Sequence, residues 1–127
     1  MIGYQANIEE LTRANTYFRH VLYTGPHAQL VLMTLKTGEE IGMEVHPAID
    51  QFFRFEVGEG KVTIAGTDYA VKDGDVAIVP AGNMHNVTNT GSVDLKLYTI
   101  YSPPNHPDGT IHKTKAEAIA AEKEEQK

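Results

Sequence analysis

The stretch Gly74-Asp75-Val76-Ala77-Ile78-Val79-Pro80-Ala81-Gly82-Asn83-Met84-His85-Asn86-Val87-Thr88-Asn89 decides how this chain is read. Val76–Val79 is a short apolar run, Pro80-Ala81-Gly82 breaks it, and Met84–Asn89 starts a second run. Proline fixes φ and glycine accepts the positive φ of a tight turn, so the segment reads strand, turn, strand. The turn delivers His85 to the start of its strand.

Outward from this segment the same punctuation recurs. Tyr17, Arg19, Val21 and Tyr23 alternate with Phe18, His20 and Leu22, and Gly25-Pro26 ends that run. Gln29–Lys36, Gln51–Val57, Lys61–Ala65, Tyr69–Val71 and Val93–Tyr101 follow, separated by Gly and Asp turns. Eight or nine short strands between residues 17 and 101 leave no room for crossover helices. The chain is therefore expected to be all-β, a sandwich or barrel. Asn7…Glu10 resembles a capping box and predicts a short helix over Ile8–Ala14. Ser102–Gly109 holds three prolines and cannot continue a strand. Thr114…Glu117 is a second capping box, which opens an exposed helix over Lys115–Glu125. The expected organisation is one domain over residues 1–127. Its barrel core spans about 16–101, and a Pro-rich segment and helix follow over 102–127.

The 127 residues include no cysteine, which excludes disulfides, thiolate metal sites and cysteine nucleophiles. No apolar run approaches the roughly 20 residues of a membrane span. Met1–Arg13 has no basic segment leading into an apolar one, so a cytoplasmic location is expected. The net charge is −6, and from Lys113 onward four lysines balance four glutamates, so the acidic excess lies in residues 1–112. An acidic surface repels phosphate backbones and anionic lipid, which argues against nucleic-acid and membrane partners.

Strand alternation predicts which side chains face inward. With Arg54, Lys36, Lys96 and Asp94 in water, the interior receives Gln51, Phe53, Phe55 and Val57; Gln29, Val31, Met33 and Leu35; and Leu95, Leu97, Thr99 and Tyr101. Arg19 in water places Phe18, His20 and Leu22 inside. An apolar interior with sparse polar groups suits a small-molecule ligand, and Met33, Phe53, Thr99, Tyr101 and His20 are its expected lining. His106 and His112 are expected in a surface loop. Leu30, Leu32, Phe52, Tyr98 and Ile100 form an apolar outer face that needs covering by the N-terminal segment or a second subunit; a homodimer is the economical reading.

Ligand-type residues cluster in two places. In Gly42-Met43-Glu44-Val45-His46-Pro47, an extended backbone puts Glu44 and His46 on one face, and Gln51 opens the next strand inward. His85 supplies a second imidazole. Two imidazoles with oxygen donors can hold a first-row divalent ion and leave positions open for water or substrate.

At these residues the chain resembles the cupin superfamily. Gly74, Pro80, Gly82, His85 and Asn89 match the spacing of its second motif without an insertion. His46 and Gly58 fall on the second histidine and the closing glycine of its first motif. Glu44 stands where that motif has its first histidine, and Gln51 where it has its glutamate. The resemblance implies a double-stranded β-helix, the cupin jelly-roll, with one Mn, Fe or Zn ion per chain held by Glu44, His46, Gln51 and His85. It implies a small-metabolite enzyme of isomerase, decarboxylase or dioxygenase type, working by Lewis-acid catalysis. Glu44, if not a ligand, would be the general base and Tyr101 the acid. The alternative from another class is a non-catalytic protein that binds a sugar or carboxylate.

Overall fold

A computed structural model describes residues 2–125. Its elements in chain order are α1 (Ile8–Ala14), β1 (Arg19–Thr24), β2 (Gln29–Leu35), β3 (Asp50–Val57), β4 (Glu59–Ile64), β5 (Thr67–Lys72), β6 (Val76–Val79), β7 (His85–Asn89), β8 (Leu95–Ser102), β9 (Ile111–His112) and α2 (Lys115–Glu125). The strands form two antiparallel sheets, ordered β6-β3-β8-β2-β1-β9 and β5-β4-β7, as a double-stranded β-helix requires. Among the described residues no helix is long and apolar enough to cross a membrane.

Alternation governs the large sheet. In β2, β3 and β8, residues Gln29, Val31, Met33, Leu35, Gln51, Phe53, Phe55, Leu95, Leu97, Thr99 and Tyr101 are all buried, as the pattern predicts. Register brings them together: Gln29 and Gln51 both flank Tyr101, and Val31 and Phe53 both flank Thr99. Phe53 and Phe55 stack at 6.3 Å between centroids. Each buried phenylalanine contributes about 1.5–3 kcal/mol by leaving water, so this pair anchors the core.

In β1 the inward face is the reverse of the one expected. Arg19 and Val21 are buried, whereas His20 and Leu22 are half-buried on the outer side. His20 packs against Tyr17 and shares a groove with Leu11 and Ala14 of α1. The rule that charge faces water fails because β9 pairs with β1 and brings the C-terminal segment over Arg19. Glu56, which strand alternation would place in water beside Arg54, is buried at a bulge between Phe55 and Val57, and its Oε1 lies 3.2 Å from Arg54 Nε.

The outer face is covered in part by α1, which contacts β2, β3 and β8. Asn7 caps α1 by accepting from the Glu10 amide at 3.1 Å. Lys96 closes the other end, donating to the carbonyls of Arg13 and Asn15. That lysine satisfies carbonyls left open by the helix end and complements its dipole.

The segment after Tyr101 folds across the mouth of the barrel, where a surface loop was expected for His106 and His112. Gln29, fully buried, clamps it: its Oε1 accepts from the amides of Asn105 and His106, and its Nε2 donates to the His106 carbonyl. Ala118 of α2 is buried against the core.

Candidate metal centre

The two ligand-bearing segments are stitched together by backbone. Residues 38–46 carry no regular alternation and form no regular strand, yet isolated antiparallel bridges at Glu40–Thr88 and Glu44–His85 hold them beside β7. Glu44 and His85 exchange two backbone hydrogen bonds, each 2.9 Å, and Ile41 donates to the Val87 carbonyl. The turn at Pro80–Gly82 is tied to the same place. Gly82 adopts φ +85° and donates to the His46 carbonyl, while Asp50, facing away from Gln51, accepts from the Ala81 amide. A side chain at position 82 would strain this turn.

This stitching converges three side chains. Ligand atoms of Glu44, His46 and His85 lie within 4.8 Å of one another. Glu44 Oε2 is 2.9 Å from His46 Nε2, an ion-pair distance without hydrogen-bond alignment, so the buried His46 nitrogen has no hydrogen-bond partner among the described residues. Gln51 joins from β3: its Oε1 is 3.1 Å from His85 Nε2, and its Nε2 donates to Thr99 Oγ1 at 3.0 Å. His85 Nδ1 faces the Asn83 carbonyl at 3.0 Å and must donate to it. In the neutral ring, Nε2 then keeps its lone pair, the tautomer a metal ligand needs. Gln51 Oε1 and His85 Nε2 are then two electron-pair donors facing each other, an arrangement that a shared cation satisfies. The donor set therefore fits a divalent ion.

Burial pushes the Glu44 carboxyl upward, but contact with His46 and the charges of His46, Arg19 and His85 outweigh it, leaving its pKa below the ordinary value. The group is ionised at neutral pH. Tyr101 lies beneath the cluster, edge-on to His46 at 5.9 Å and 3.2 Å from His106 Nε2. Burial raises its pKa, so the phenol is neutral and holds its proton as a hydrogen-bond partner. Phe53 packs edge-on to His85 at 6.3 Å. Met33 is fully buried in the core. His20 is remote from this side, on the outer face.

A cavity of about 280 Å³ opens onto the cluster, lined by Arg19, Glu44, His46, His106, His112 and Glu122 among others. A larger groove of about 600 Å³, bordered by Val57, Lys72, Asp73 and Val93, is lined by no histidine, so the ligand-type side chains gather at the smaller space. Sequence reasoning missed Arg19, His106 and the capping tail. The only signal for them was the arginine at the start of an otherwise apolar strand and two histidines in a Pro-rich segment.

Residues 31–101 match the family model for the cupin domain. The chain belongs to the cupin family. Among curated relatives, the Bacillus subtilis protein YrkC is 52% identical over 122 residues, 91% of this chain and 66% of that one. An oxalate-binding protein of Thermotoga maritima is 31% identical over 68 residues, 54% of this chain and 56% of that protein. The crystal structure of BH2720 from Bacillus halodurans superimposes with a TM-score of 0.91 at 47% identity, covering 92% of this chain and 93% of that one.

Proposed function

We propose that this cupin binds one divalent ion of Mn, Fe or Zn through Glu44, His46, His85 and Gln51 and acts as an enzyme on a small metabolite. The observation that carries this reading is the convergence of three ligand atoms within 4.8 Å beside a cavity that opens onto them. The ion would act as a Lewis acid toward an oxygen of the bound metabolite. The chain's own residues set up that chemistry. Glu44 supplies the negative charge, Asn83 fixes the His85 tautomer, and Thr99 turns Gln51 Oε1 toward the cluster. The tail segment at His106 and His112 walls one side of the cavity and narrows its contact with water, which would strengthen electrostatic contacts inside. Isomerase, decarboxylase and dioxygenase chemistry all fit these parts.

Elemental analysis of the purified protein beside a His85→Ala variant tests the site. The wild type should carry close to one ion per chain and H85A well under half of that. Equal metal content would sink the assignment.

A second reading is non-catalytic binding of a small carboxylate, favoured by the Thermotoga maritima relative that is named for binding oxalate. Product formation by the metal-loaded protein separates it from the first. We further propose that the chain pairs with a second copy through the outer face that α1 leaves open.

A further inference from the structure

We propose that Arg19 is the recognition residue for a small carboxylate anion, placing the ligand between its guanidinium and the Glu44–His46–His85 cluster. The argument starts from a charge in an unusual place. Arg19 is only 2% exposed, and a guanidinium stays protonated at any working pH. Taking such a group out of water is costly unless it is paired. Its partners are weak. Nη1 is 3.2 Å from His112 Nδ1, the Phe18 ring lies 5.3 Å from the guanidinium carbon, and buried Nε has no hydrogen-bond partner among the described residues. The ion pairs between described residues, Arg13–Glu9, His46–Glu44, Arg54–Glu56 and Lys61–Asp68, do not include Arg19.

Glu44 and Glu122 line the same cavity, but Glu44 is turned to His46, and Glu122 is exposed at the rim. An ion on the cluster would consume the Glu44 charge and leave the cavity positive. A carboxylate answers this demand, because two parallel N–H donors of a guanidinium match its two oxygens. Size sharpens the class. A space of about 280 Å³ equals the liquid volume of roughly nine waters, enough for a dicarboxylate of two to four carbons. Arg19 lies outside residues 31–101, the span matched by the family model, so this specificity comes from the segment that precedes it.

The inference rests on the proposed metal site only for the far end of the ligand, and its test is arranged to separate the two. Malonate and neutral malonamide are titrated calorimetrically into Mn-loaded and chelator-treated wild type, Arg19→Met and Arg19→Lys, with metal content measured in each. Malonate should bind the loaded wild type at least tenfold tighter than malonamide. R19M should lose that preference with metal content unchanged. R19K keeps the charge but not the paired donors, and should weaken malonate by about tenfold while folding normally. R19K therefore decides the matter should R19M fail to fold. Malonate affinity unchanged by either variant, or equal binding of malonamide, overturns the proposal. Loss of metal together with malonate in R19M also overturns it, since the arginine would then be supporting the cluster. Metal-free wild type that still prefers malonate through Arg19 upholds this inference even where metal binding itself fails.

Discussion

Two residues at the cluster decide its chemistry. Gln51 is a neutral oxygen donor on an inward position of β3, held by Thr99. Gln51→Glu would add a second carboxylate to the donor set. Metal affinity should rise by about tenfold, ~1.4 kcal/mol, while the metal-free form loses stability from a buried charge beside ionised Glu44. Competition with a fluorescent chelator and melting of the apo protein check the two halves. The same scale shows what was legible in the sequence. Phe53, Thr99, Tyr101 and Gln51 are buried on the inward face as expected, because a period of two leaves each strand only two faces. Arg19 and His20 were exchanged because the parity of β1 was set by assuming that a charge faces water. That assumption fails where a cavity supplies the reason for burying one.

Among the elements, the C-terminal segment is the one local pattern could not place. Its position depends on Gln29, 77 residues before His106, and on pairing of β9 with β1. Short-range signals identified α2 and its capping box, and Glu117 does accept from the Thr114 amide. They carried nothing about where the helix docks. His106 makes the docking sensitive to acid. Burial first, and then the charge of Arg19, lowers its pKa from 6.5 to about 3. The unfolded or undocked segment binds the proton more readily, so the stabilising effect is complete above about pH 6.5. It is lost progressively as pH falls toward about 3. Melting temperature should fall across that window, and His106→Asn should flatten the slope. An unchanged slope in the variant would assign the effect to other groups.

At the scale of the whole molecule, the outer face and the net charge remain to be explained. Ile78, Phe52, Ile100 and Leu30 form one cross-strand row over β6, β3, β8 and β2, and Ile78 is 62% exposed. An apolar row of this kind on the surface calls for a cover. Light scattering should give twice the 14.0 kDa chain mass, and Ile78→Asp should return it to one. A monomeric wild type would refute the pairing. The fold class was legible because turns and alternation repeat along the chain, but an assembly depends on the one face that alternation leaves undetermined. The acidic excess has its own effect on how a ligand arrives. With an ion on the cluster the cavity would turn positive inside a negatively charged body, which repels an anion through the bulk solution and attracts it only past the rim, where Glu122 stands. Added salt screens the outer field far more than the inner one. Ionic strength should therefore speed the entry of a carboxylate into this protein, the reverse of the salt response of a ligand steered in by opposite charge.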